Sequence, residues 1–369
     1  MPELADVFRR HGQAYLERFG DRMLPSHRRA MADIIACRTK AQGGHLFECD
    51  RCGHHHYAYH SCRNRSCPKC HRAQTDRWAE QRRRELPRGT YFHLVFTLPE
   101  ALRPIVRAHQ RTLYAVLIRA AAQALIKLAS DRHYVGGKIA IVAVLHTWTR
   151  AMAFHPHVHF LVPAGTLSDD ASTWIATRKN YLVPLKALSV IFRAIFIRMA
   201  RKALPDITIP QSVWETNWVV YAKPCLNGPD KIIRYLARYV HRIAITNNRI
   251  LSVDDRNVTF RYKDSRDHRW KTMTLPAHEF IRRFLQHVLP KGFHKVRYYG
   301  LLSPSNRRLF EQVLNHFEDE EPDVALVEES LAGQTESSST LGPRCPRCKS
   351  GHLVIIAVLL RRRRAPPWM

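Results

Sequence analysis

Acidic residues are scarce in this 369-residue chain: 31 Asp and Glu stand against 59 Lys and Arg, a formal charge of +28. Such a shortage argues against a self-neutralised surface and points to a polyanionic partner, nucleic acid first. Long apolar runs are missing at both ends. The N-terminal MPELADVFRR lacks the apolar core of a secretory signal, and Leu353 to Leu360 is too short to span a bilayer. The sequence therefore places the protein in the cytoplasm, associated with the nucleoid, with no membrane partner. Isolated cysteines are also few, since seven of the nine fall in two close-spaced clusters. In a reducing compartment that pattern excludes a disulfide framework and favours metal binding.

What is present divides the chain into three. Residues 1–88 read as a zinc-binding, DNA-binding module: a helical stretch over 1–36, a Cys/His-rich stretch from Cys37 to His71, and a basic helix-like connector from Arg72 to Arg88. Residues 89–305 interleave strands and helices, with strands expected at Tyr91–Leu98, Ile139–Trp148, His157–Val162 and Trp218–Lys223 and a hairpin around Asp254-Asp255. Helices are expected at Leu102–Leu128, Leu185–Leu204 and Asp230–Arg242. This pattern predicts an α+β domain. Residues 306–369 begin with an acidic, Ser-rich linker and end in a basic RRRR tail, a segment expected to be largely disordered.

Cys49-x2-Cys52 and Cys67-x2-Cys70 are two knuckles with 14 residues between them. Two such pairs can deliver four thiolates to the corners of a tetrahedron about 2.3 Å from one zinc ion, a closed site that is structural because no position is left for substrate. Cys37, His45, His60 and Cys62 remain for a second site or as substitute ligands, and Cys345-x2-Cys348 is followed by no further pair. Around and after the knuckles stand Arg63, Arg65, Lys69, Arg72, Arg82, Arg83 and Arg84, a basic run expected to contact phosphates.

His155-Pro156-His157-Val158-His159 runs into Phe160-Leu161-Val162. In a strand, residues two apart share a face, so His157 and His159 project together while Val158 turns to the core, which suits two imidazoles on one divalent ion. Tyr235 and Tyr239 stand four apart; on a helix their hydroxyls share a face roughly 6 Å apart along the axis. Taken alone, such a tyrosine pair is core or interface packing. Beside a metal-binding histidine pair, it supplies the second half of phosphoryl transfer, a nucleophile for a polarised phosphodiester.

His157-Val158-His159 resembles the His-hydrophobic-His motif of the HUH nucleases, and Tyr235-x3-Tyr239 resembles their two-tyrosine motif. The flanks SCRNRSCPKC (61–70), FHLVFTLP (92–99), HPHVHFLVPAG (155–165), YLARYVHR (235–242) and VRYYGLL (296–302) are similar to bacterial rolling-circle transposases of the insertion-sequence ninety-one family, over about residues 10–305. The resemblance implies a central antiparallel sheet flanked by helices and preceded by a zinc module on Cys49, Cys52, Cys67 and Cys70. It implies Mg2+ or Mn2+ on His157 and His159, nucleophiles at Tyr235 and Tyr239, and single-stranded DNA at transposon ends, with target DNA, as partner. No motif fixes the third metal ligand; His146 is the choice, on the strand expected to pair with that of His157, with His155 and His241 as alternatives. A plasmid or phage rolling-circle replication initiator would share this chemistry. A non-catalytic zinc-dependent DNA-binding regulator would use the same histidines and tyrosines only structurally.

Overall fold

The computed structural model describes residues 1–70, 90–168, 170, 173–178, 181–225, 243–311 and 342–361. The chain divides into two compact units: Leu4–Cys70 with Glu320–Met369, and Met1–Glu3 with His71–Asp319. The first unit is therefore built from two segments far apart in sequence, with most of the second unit's residues between them in the chain.

In the terminal unit the expected helical stretch is two helices. Helix α1 (Leu4–Phe19) stops at Gly20, and α2 (Pro25–Ala36) starts with proline in its first turn, where the missing N–H costs no hydrogen bond. Leu4, Val7 and Phe8 bury one face of α1, and Ala30, Met31 and Ile34 bury one face of α2. Strands β1 (Gly44–Cys49) and β2 (His55–Tyr59) then form an antiparallel hairpin. The C-terminal strand Leu353–Leu359 pairs with the other edge of β1, giving a three-stranded sheet. Residues 342–361, which fall in the segment expected to be largely disordered, thus contain a strand. Residues 342–361 are ordered because a sheet edge and a cysteine pair more than 290 residues upstream receive them, a partnership no local pattern reveals.

The inserted unit is α+β with an antiparallel five-stranded sheet. Its strands are β3 (Tyr91–Thr97), β4 (Ala140–Trp148), β5 (Phe154–Pro163), β8 (Val220–Cys225) and β12 (Val296–Gly300), in the order β12-β4-β5-β3-β8. Between them lie a small ribbon, β6 (Gly165–Leu167) with β7 (Trp174–Ala176), and a second sheet, β9 (Ile250–Val253), β10 (Asn257–Lys263) and β11 (Trp270–Pro276). The expected long helix is broken at His109 (φ −119°, ψ 44°) into α3 (Arg103–Ala108) and α4 (Gln110–Ala129). Helix α5 (Leu185–Ala203) packs on α4, and α6 (Ala277–Leu285) packs on the second sheet through Phe280 against Phe260, ring centroids 5.7 Å apart.

Alternation assigns the two faces of the main sheet. Phe92, Leu94 and Phe96 of β3, Ile141, Ala143 and Leu145 of β4, and Val158, Phe160 and Val162 of β5 join Leu117, Leu125, Phe192 and Phe196 of α4 and α5 in one core. Helix α4 is apolar and long enough to cross a bilayer by composition, and it spends that character in this core. The residues between, His93, His146, His157 and His159, fall on the opposite face.

Candidate functional site

Register brings the histidines together. His146 of β4 is paired with His157 of β5, and Val144 with His159, so three imidazoles from two neighbouring strands share one patch. Their ring centroids are 4.5 Å (His146–His159), 4.9 Å (His157–His159) and 5.6 Å (His146–His157) apart, and one ring nitrogen from each lies within 4.8 Å of the others. Three imidazoles gathered in this way could hold one divalent ion, which would supply Lewis-acid chemistry. The patch sits beside a bulge, where His155 and Pro156 of β5 together oppose Thr147. Pro156 has no N–H to give to a ladder and belongs at such an irregularity, which aims the side chains beside it.

The surroundings fix the rings. Nδ1–H of His157 donates to the His155 carbonyl at 2.7 Å, which places the lone pair on Nε2. Trp148 stacks on His146, centroids 4.8 Å apart and planes at 20°. His93, on β3, has Nε2 2.8 Å from Nδ1 of His159 with the rings stacked. Burial first, then the Lys223 ammonium, lowers the His93 pKa to about 4, so this imidazole is neutral. Were Nε2 of His159 to hold a metal, its Nδ1–H would donate and His93 Nε2 would accept. His93 would then be a positioning residue that reading for motifs missed; its only signal was a lone histidine in phase with a buried strand.

His155, the weaker alternative as third ligand, points its Nδ1 elsewhere: Arg103 Nη2 donates to it at 3.0 Å, and burial and then Arg103 lower its pKa. The other alternative, His241, lies outside the described residues, as do Tyr235 and Tyr239. Next to His155 opens a cleft of about 610 Å³ lined by Arg103, Arg107, Phe154, Arg282, Arg283 and Gln286. Arg103 Nε is buried there without a hydrogen-bond partner among the described residues, the kind of donor an anionic oxygen would satisfy.

The cysteines correct the expected zinc site. Cys49, Cys52, Cys67 and Cys70 do not converge: Cys67 and Cys70 join Cys37 and Cys62, while Cys49 and Cys52 join Cys345 and Cys348. The hairpin is the reason. The Cys49–Cys52 knuckle is at its tip and the Cys62–Cys70 loop follows its open end, and five strand residues at about 3.3 Å each put roughly 16 Å between them, far beyond one ion. Cys37, at the end of α2, reaches the open end, where Arg38 N–H bonds the His60 carbonyl. Its Sγ is 3.5 Å from that of Cys70, and Cys62 Sγ is 3.6 Å from Cys70 Sγ. A sulfur tetrahedron around zinc at about 2.3 Å has edges of about 3.8 Å, so these thiols are crowded to the spacing a zinc ion enforces. The hydrogen bond from Cys62, followed by that from Cys67, holds Cys37 well below the usual thiol range. His45 and His60 belong to neither group and pack edge to face, 4.9 Å apart. Of the expected phosphate contacts, Arg63 is exposed and Arg65 and Lys69 half-buried; Arg72, Arg82, Arg83 and Arg84 lie outside the described residues.

Residues 7–98 match the family model described as "Transposase zinc-binding domain" and residues 140–309 the one described as "Putative transposase". Over 383 aligned residues the chain is 39% identical to "Putative transposase y4qJ" of Sinorhizobium fredii, covering 97% of this chain and 95% of that protein. It is 30% identical over 294 residues to "Transposase for insertion sequence element IS801" of Pseudomonas savastanoi pv. phaseolicola, covering 73% and 68%. No solved structure matches. The chain belongs to the insertion-sequence ninety-one family of transposases.

Proposed function

We propose that this transposase nicks and rejoins single-stranded DNA at the ends of its element, through a covalent phosphotyrosine intermediate, during rolling-circle transposition. The observation that carries the proposal is the convergence of His146, His157 and His159 within 4.8 Å on one face of the sheet, with His93 and the His155 carbonyl orienting two of them. Mg2+ or Mn2+ bound by these residues supplies Lewis-acid polarisation of the scissile phosphodiester.

The chain's own residues supply the rest. Tyr235 or Tyr239 attacks phosphorus: its phenol gives up a proton to water, the new bond joins the tyrosine oxygen to the 5'-phosphate, and the O3'–P bond breaks to leave a protonated 3'-hydroxyl. A phenol pKa near 10 means that the attack depends on a polarised phosphate rather than on a preformed phenolate. The ester keeps the energy of the broken bond, so a 3'-hydroxyl on another strand can reverse the step and join DNA without ATP. Two tyrosines allow a second cleavage while the first end is held. Arg103, Arg107, Arg282 and Arg283, in the cleft beside His155, suit the phosphates of the bound strand, and the steep salt dependence of such contacts is expected of the whole protein.

The test uses single-stranded oligonucleotides spanning the DNA that flanks the reading frame, incubated with Mg2+ or Mn2+. Wild-type protein should nick them and the H157A/H159A variant should not, while oligonucleotide affinity stays within a few-fold because phosphate contacts carry it. Nicking by the double variant at the wild-type rate would sink the metal-site assignment.

A further inference from the structure

We propose that Cys49, Cys52, Cys345 and Cys348 bind a second structural zinc ion, and that this ion joins the two ends of the chain into one zinc ribbon, with the α+β unit inserted between its halves.

Four observations carry this. First, the thiols have tetrahedral spacing: Cys49 Sγ is 3.7 Å from Cys348 Sγ and Cys52 Sγ is 3.8 Å from Cys345 Sγ, against edges of about 3.8 Å around a zinc with bonds near 2.3 Å.

Second, the knuckles are built alike. In each, the residue after the second cysteine is left-handed (Gly53, φ 64°; Lys349, φ 58°) and its N–H bonds the carbonyl of the first cysteine (Gly53 to Cys49 and Lys349 to Cys345, both 3.0 Å). A lysine held in that conformation is uncommon, and the match with Gly53 says that the turn is imposed by what the two cysteines hold.

Third, the halves fit closely. A Cβ on Gly351 would stand 2.6 Å from Cys49 Sγ, so only glycine lets the C-terminal knuckle approach. Asp50 N–H bonds the His352 carbonyl at 3.0 Å, and His352 N–H bonds Asp50 Oδ1 at 2.8 Å.

Fourth, little besides the knuckle holds the C-terminal strand. Of Leu353–Leu359 only Leu353 is buried, and Val354, Ile355, Ile356 and Val358 are about half or more exposed. An edge strand with so little apolar burial would otherwise rest mainly on its ladder with β1 and on the Asp50–His352 bonds. A metal bound by both halves supplies the missing attachment. The four thiolates and the ion would carry net negative charge, and Arg51 and Arg347 within the two knuckles, with Lys349 just after the second, are of the sign to balance it.

Metal analysis of the full-length protein should find two zinc ions per chain, falling to one in C345S/C348S while the Cys37, Cys62, Cys67 and Cys70 site keeps its own. One ion in the wild type, or two in the variant, would overturn the proposal. A second measurement does not depend on zinc counting: a specific protease site placed between Ser337 and Ser339 allows the chain to be cut in the linker sequence. The C-terminal fragment should co-elute with the rest of the protein, and should separate from it when C49S/C52S is introduced into the same chain. A fragment that leaves the otherwise unaltered protein in zinc-containing buffer, or one that stays with the C49S/C52S chain, would refute the clasp.

Discussion

Replacing His93 with leucine tests how the histidine patch is held. The change keeps a buried side chain of similar bulk but removes the acceptor 2.8 Å from Nδ1 of His159. Losing a partner for a buried donor costs about 1–3 kcal/mol, which is roughly 5- to 150-fold in an equilibrium constant. Orienting partners of metal-ligating histidines are typically worth about 10- to 100-fold in affinity, and the two ranges overlap. H93L should therefore weaken Mn2+ binding about 10- to 100-fold by titration calorimetry, H93Q should recover part of it through its amide oxygen, and saturating Mn2+ should restore most of the cleavage rate in both. Unchanged Mn2+ affinity in H93L, with a melting temperature like that of the wild type, would refute the positioning role.

Three further outcomes follow from the same structure. Cys62→Ser should remove the zinc held by Cys37, Cys67 and Cys70 and leave the ion at Cys49, lowering zinc by about one per chain on the four-thiolate rule; loss of both ions would show that the two sites are one folding unit. His287 is buried, with Nε2–H on the Met152 carbonyl and Nδ1 accepting from Thr147, each at 3.2 Å, and burial lowers its pKa to about 4. Because the unfolded chain takes up that proton first, near pH 6.5, stability is full above that pH and is lost as pH falls towards 4, by at most about 3 kcal/mol. His287→Gln should flatten that part of a stability profile measured by urea unfolding. Arg103→Met should weaken binding of a single-stranded oligonucleotide and reduce the slope of log affinity against log salt by about one, as expected of one lost phosphate contact; an unchanged slope would remove Arg103 from the strand's path.

Much of this was legible because short-range periodicity determines it. His157 and His159 share a face through strand alternation, and His146 followed from strand pairing; the register then set His146 opposite His157. The breaks in two helical stretches were harder. Pro25 marked one, but His109 carries no breaker chemistry, and its break shows only in the backbone. The x2 cysteine pairs were legible as pairs and misread as a set, because which pairs meet, and that Cys37 and Cys62 join Cys67 and Cys70, depends on where the β1–β2 hairpin places them and on a strand from the far end of the chain. His93 was invisible for a related reason, since its partner lies 66 residues away and only tertiary packing makes the contact.

In the proposed reaction a tyrosine of this chain becomes covalently joined to DNA. A labelled single-stranded oligonucleotide from an end of the element, incubated with the protein and Mg2+, should give an adduct stable to denaturation, and mass spectrometry after digestion should place the nucleotide on a peptide containing Tyr235 or Tyr239. The Y235F/Y239F variant, which keeps both rings and their packing, should form none. Adduct formation undiminished in that variant, or mapped to Tyr221 or Tyr298, which stand on strands of the histidine-bearing sheet, would contradict the assignment.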